Sequence, residues 1–165
     1  MIMADRPTRD PRSKILSRRE ALERLSRQAR GGRTLVLANG CFDILHVGHV
    51  RYIEGARAEG EILLAAVNGD DSVRRLKGAG RPLQEESDRA EILASLRAVD
   101  FVTVFHEDTV ISLIESFEPD VHAKGTDYTP DTVPERQVVL DHGGRVAIVG
   151  DPKDHDTSAI IDGLK

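Results

Sequence analysis

The chemistry-bearing stretch of this chain is Asn39-Gly40-Cys41-Phe42-Asp43-Ile44-Leu45-His46-Val47-Gly48-His49. It reads as the end of a strand, a glycine turn and the immediate start of a helix. His46 and His49 stand three apart, which puts two imidazoles on one face of a first helical turn, beside its unpaired amides and the positive end of its dipole. Such a place attracts an anion, and Gly48, with no side chain between the rings, lets a phosphate approach the backbone. Two other readings compete. Paired histidines can hold zinc, although the only further ligand nearby is Asp43, and two histidines can also be ordinary surface residues of a helix.

Cys41 follows the turn glycine and could be a nucleophile, but a small buried hydrophobe suits that position better. Lys77 lies in Lys77-Gly78-Ala79-Gly80-Arg81, read as a flexible loop whose glycines permit closure and whose ammonium can reach a phosphate; a solvated surface lysine is the alternative. Arg74, Arg75 and Arg81 share that ambiguity. Lys124 follows a strand and precedes Gly125, at the edge where ligands bind in α/β sheets, or else it forms a salt bridge with an acidic neighbour.

The elements that must position these groups show as short apolar runs bounded by turn residues: 34–38, 61–67, 100–105, 120–123 and 145–149. Runs of this kind are strands buried on both faces. Between them lie helical spacings at 47–59, 88–98, 109–117, 133–142 and 157–164, and a leading helix at 18–30 opens on a Ser17/Glu20 capping box and closes at Gly31-Gly32. Strict strand–helix alternation predicts an α/β fold: a doubly wound, parallel, five-stranded, Rossmann-like sheet with an extra N-terminal helix. Residues 1–16 are polar and aperiodic, which predicts a loose arm ahead of one domain at 17–165.

Composition narrows the partners. The chain has 165 residues and a net charge of −5, with 4% aromatics and no Trp, which argues against nucleic acid or an anionic membrane as the main partner. One cysteine allows no internal disulfide, and the longest apolar run, Ile62 to Val67, is far too short to span a bilayer. With no secretory block at the N-terminus, the expected location is the cytoplasm.

Gly40, Phe42, Asp43, His46, Gly48 and His49 fill the pattern G-x-F-D-x-x-H-x-G-H, and the chain thereby resembles the nucleotidyltransferase superfamily, in its cytidylyltransferase-like branch. Ser72 to Gly78, Arg81-Pro82, Asp88-Arg89 and Lys124-Gly125-Thr126-Asp127-Tyr128 are similar to the adenylyltransferases that make ADP-heptose, over about residues 14 to 164. The resemblance implies a stand-alone version, without the sugar-kinase domain often fused ahead of it, and a homodimer. It implies transfer of AMP from ATP to a sugar 1-phosphate, D-glycero-D-manno-heptose 1-phosphate, releasing pyrophosphate. It further implies that His46, His49 and Lys77 are catalytic, acting electrostatically on the α-phosphate and leaving group. Gly40, Cys41, Phe42, Asp43, Gly48, Lys124, Thr157 and Ser158 would bind the nucleotide, and Asn39, Lys124 and Asp127 the acceptor. Magnesium would come with the triphosphate, held mainly by its phosphates and with no dedicated protein cage.

Thr126 stands where that branch has a middle glycine, and Asp156 where Ser is usual, an acid that would repel a triphosphate unless it caps a helix or meets Mg²⁺. Glycerol-3-phosphate cytidylyltransferases and FMN adenylyltransferases share the first signature and are the alternative activities. Aminoacyl-tRNA synthetases share H-x-G-H too, but this chain is short, acidic and lacks a K-M-S-K-S-like loop. A catalytically silent nucleotide-binding module is the reading from another class.

Overall fold

The computed structural model describes residues 10–152. In chain order its elements are α1 (Arg18–Leu25), β1 (Leu35–Gly40), α2 (Val47–Ala58), β2 (Ile62–Asn68), α3 (Asp70–Lys77), α4 (Glu86–Ser95), β3 (Phe101–Phe105), α5 (Ile111–Phe117), β4 (Val121–Lys124), α6 (Arg136–Asp141) and β5 (Arg145–Ile148). The strands are all parallel, in the order β3-β2-β1-β4-β5. β1 is central and β2 is buried along its whole length, as its uninterrupted apolar run requires.

Two apolar cores flank the sheet. On one face Ile53 and Ala56 of α2 and Leu93 and Ala94 of α4 pack against Val36, Ala38, Leu63 and Ala65. On the other, Ala21 and Leu25 of α1, Leu113 and Phe117 of α5 and Val139 of α6 pack against Leu35, Leu37 and Leu64. Alternate residues of β1 and β2 thus feed opposite cores, so the fold is the doubly wound five-stranded sheet that the strand–helix alternation requires. The order reverses between β1 and β4, and such a reversal opens a crevice beyond the carboxyl ends of those two strands.

Several local readings need correction. The end of the segment expected to be loose is structured: Pro11–Lys14 form a 3₁₀ turn capped by Asp10, Ile15 bridges Val102 in parallel, and the Leu16 amide donates to the Val102 carbonyl at 2.8 Å. Leu16 is buried, and Lys14 Nζ donates to the carbonyls of Leu96 and Val99, so a short run without periodicity is held by the sheet edge and two tertiary bonds. The capping box at Ser17 and Glu20 is present, but α1 ends at Leu25, well before the glycine pair. Arg30 explains this: its buried guanidinium donates to the carbonyls of Leu25, Phe117 and Glu118, which satisfies the helix end early and ties it to α5.

Helix α3 was not foreseen. Its sequence DDSVRRLK buries only Ser72 and Val73, too few apolar positions to show a period. The acids in its first turn and the cations in its last complement the helix dipole and help it form. Lys77 is therefore the last residue of a helix and not part of the glycine loop, which begins at Gly78. Helices α4, α5 and α6 run at 86–95, 111–117 and 136–141: α4 starts two residues earlier and ends three earlier than the spacing suggested, α5 starts two later, and α6 is shorter at both ends. The expected helix at 157–164, with Thr157, Ser158 and Asp156, lies outside the described residues, as do residues 1–9. No helix among the described residues is long and apolar enough to cross a membrane.

Candidate active site

A cleft of about 730 Å³ opens beyond β1 and β4. It is lined by Asn39, Gly40, Cys41, Phe42, Asp43, His46, Gly48, His49, Lys77, Lys124 and Asp127, so every expected site residue that lies within the described range meets in one place. All but Lys77, which comes from the end of α3, arrive from the end of a strand or the segment that follows it, where doubly wound sheets gather ligands.

His46 is the N-cap of α2 and not a residue of its first turn. Its Nδ1 accepts from the Gly48 amide at 3.1 Å, while the His46 amide donates to His49 Nδ1 at 3.3 Å. The two imidazoles thus replace the Ser/Thr and Glu of an ordinary capping box, each satisfying one orphan amide. A nitrogen that accepts carries no proton, so both neutral rings hold their proton on Nε2. The ring centroids lie 3.9 Å apart, too close for two charges. Burial, and then repulsion from His46, push the pKa of His49 down to about 4, which leaves it a neutral donor at pH 7.

Phe42 supports this pair from below. Its buried ring packs tilted against His49 at 5.5 Å and stacks with Tyr52 at 6.3 Å. The backbone at Phe42 has φ 50°, and a side chain on Gly40 would meet the Phe42 ring at 3.3 Å, so Gly40 is needed where the chain doubles back. Tyr52 in turn donates its hydroxyl to the Ala123 carbonyl at 2.8 Å, which pins α2 to β4 across the crevice.

Asp43 lines the cleft, yet its buried carboxylate accepts from Arg81 Nε at 2.7 Å and from the Leu83 and Gln84 amides. It anchors the loop that follows α3, and the ion pair offsets an acid that would otherwise repel phosphate. Arg89, fully buried, ties the same region together by donating to the carbonyls of Cys41, Asn68 and Gln84 and to Asp70 Oδ1 at 2.5–2.9 Å. Cys41 is half-buried, and burial pushes its thiol pKa up, which opposes a thiolate nucleophile.

Lys124 is buried beside Glu135, with Nζ 3.4 Å from Oε2, and lies over the Tyr128 ring at 5.1 Å. The acidic neighbour is thus real, and Lys124 lines the cleft as well. Lys77 and Asp127 are exposed at the cleft wall. Arg81 joins them, but Arg74 and Arg75 pair with Asp71 and Asp108 on the exposed side of α3. Among the described residues no group of three His, Cys, Asp or Glu is placed to hold a metal ion.

Sequence reasoning missed Arg51, Tyr52, Asn68 and Gly150 in the lining, and Glu135 and His122 beside it, and gave no role to Tyr128 and Arg89, which it named only within matching segments. One signal was available: His122 interrupts an otherwise apolar strand. Arg51 and Tyr52 sit at positions of α2 that look like ordinary surface or core residues.

His49 and His122 also fix an expected acid response. In the unfolded chain His49 and the buried His122 would titrate near 6.5, whereas in the folded chain burial holds them down to about 4 and about 3. Between these values the unfolded state binds more protons, so stability is full above pH 6.5 and falls as pH drops toward 4. Urea unfolding should give a free energy lower by at least ~1 kcal/mol at pH 5 than at pH 7. An equal or greater value at pH 5 would mean that the folded rings are charged.

The sheet thus carries a glycine turn and a histidine-capped helix at its switch point, with Lys77 and Lys124 in the wall of the same cleft. Residues 37–160 match the family model described as cytidylyltransferase-like, and the chain belongs to that family. It is 47% identical over 150 residues to the bifunctional protein HldE of Syntrophotalea carbinolica, covering 91% of this chain and 31% of that one. To the protein of the same name from Geotalea uraniireducens it is 52% identical over 134 residues, 81% of this chain and 27% of the other. The chain therefore spans about a third of the length of these relatives. Among solved structures, the lipopolysaccharide core biosynthesis protein of Thermoplasma volcanium superposes with a TM-score of 0.64 at 25% identity, over 74% of this chain and all of that one. Pantoate-beta-alanine ligase of Francisella tularensis gives 0.61 at 14% identity, over 87% and 68%, and shows the shared fold.

Proposed function

We propose that the chain transfers AMP from ATP to a sugar 1-phosphate, D-glycero-D-manno-heptose 1-phosphate, giving an ADP-sugar and pyrophosphate. The observation that carries this reading is the reciprocal cap of His46 and His49, which leaves two neutral imidazoles protonated on Nε2 beside a cleft that Lys77 and Lys124 also line. A phosphate monoester is already a nucleophile at pH 7, so the protein needs no strong base. It must align two polyanions and meet the charge that grows on the α-phosphate and the leaving pyrophosphate.

In this reading the Nε2–H donors of His46 and His49 bond the α-phosphoryl oxygens and the bridge to the leaving group. Lys77, at the end of α3 and next to Gly78 at φ 93°, reaches in from one wall, and Lys124 with Asp127 holds the acceptor on the other. Magnesium bound through the phosphates supplies charge neutralisation. The choice of adenine and heptose rests on the Lys124-Gly125-Thr126-Asp127-Tyr128 segment and on the named relatives, and the expected assembly is a homodimer.

The test is pyrophosphate release from the purified chain with each of ATP and CTP and a panel of phosphates, in the presence of Mg²⁺. Turnover is expected with ATP and the heptose phosphate. Release only with glycerol 3-phosphate or FMN would overturn the substrate, and nucleotide binding without any turnover would overturn the enzyme reading.

A further inference from the structure

His122 lies in the middle of β4 with no exposed surface, paired in register with Leu37 of β1. Its Nε2 sits 3.0 Å from Oδ1 of Asn39, the residue two places along β1 that lines the cleft. Its Nδ1 is buried and has no hydrogen-bond partner among the described residues. Because an amide oxygen only accepts, the Nε2 atom carries the proton and Nδ1 keeps a bare lone pair. Burial, and then the charge of nearby Lys124, keep the ring neutral. An unpaired buried nitrogen of this kind is destabilising, and an aliphatic residue at the same strand position would avoid that cost.

A histidine retained at that cost calls for a job, and the contact with Asn39 supplies one. A side-chain amide can turn over and exchange its oxygen for its NH₂ group. With the oxygen outward it would repel phosphate, and with the NH₂ outward it would donate to it. We propose that His122 is a positioning residue that holds the Asn39 oxygen against the sheet, so that the Asn39 NH₂ serves as a donor to a phosphate or hydroxyl oxygen of the acceptor. This rests on the reading that the chain acts on a phosphate-bearing acceptor.

The test uses steady-state kinetics of the full chain with ATP and heptose 1-phosphate. His122→Leu should raise KM for the acceptor about tenfold, the loss of one oriented hydrogen bond, with kcat changed less than about threefold. Its thermal midpoint should be unchanged or higher, since the orphan nitrogen is gone, whereas a merely structural histidine would lower the midpoint and leave KM alone. His122→Gln, whose amide can also donate to Asn39, should restore KM, and the Asn39→Ala/His122→Leu pair should be no worse than Asn39→Ala. A wild-type KM in His122→Leu, or additive losses in the pair, would overturn the proposal. The tautomer is read separately on the wild-type chain from the ¹⁵N shifts of His122 at pH 7. If no acceptor is turned over, the catalytic reading fails, while a proton on Nδ1 alone, leaving Nε2 bare, overturns the link to Asn39 itself.

Discussion

His46→Asn should lower kcat by about 10²–10³ while leaving the thermal midpoint in place. Asparagine is among the best N-cap residues, and its side-chain oxygen can accept from the Gly48 amide as the histidine Nδ1 does now. What it cannot supply is a donor at the position of Nε2. The substitution therefore removes the group aimed at transition-state charge and keeps the one that starts α2. His49→Ala should cause a similar fall in kcat with a further loss of ~1 kcal/mol in stability, because the His46 amide loses its acceptor. Rate and urea midpoint, measured together, separate the two roles. Turnover within threefold of wild type in both variants would remove the imidazoles from the reaction.

Arg89→Ala should have the largest effect on folding, a loss of about 3–5 kcal/mol. The guanidinium meets three carbonyls and one carboxylate, from the loop after β1, the end of β2, the start of α3 and the loop before α4. Truncation strands these acceptors inside the protein, and total stabilities of small domains are only ~5–15 kcal/mol. Arg89→Lys should rescue little, since a compact ammonium has three donors and cannot span the same fork. Urea titration followed by circular dichroism measures both. Near-wild-type stability in Arg89→Ala would show that water replaces the guanidinium without penalty.

The strands were legible because burial on both faces leaves a continuous apolar run, and Leu35–Gly40 and Ile62–Asn68 fall where those runs lie. The cleft was legible for a related reason: in this topology the residues after each strand share one edge, so Asn39 to His49 and Lys124 to Asp127 had to meet. Other features were hidden by physics that spacing does not record. Nothing in the helical spacing marks Arg89 as a buried arginine. α3 lacks the apolar stripe that marks a helix, and α1 is stopped by Arg30, whose contacts are made with residues nearly ninety positions away. That the histidines would cap α2 with their own rings could be read only once the backbone was in place.

The parallel bridge from Ile15 to Val102 has a consequence for solubility. β3 is an outer strand, and an outer strand with open amides and carbonyls is a template on which a second molecule can add its own strand. Ile15 and Leu16 occupy part of that border and put a buried leucine over it, so this short lead-in acts as a guard against strand-by-strand polymerisation. A fragment trimmed to begin at α1 would keep every group in the cleft and still surrender that guard.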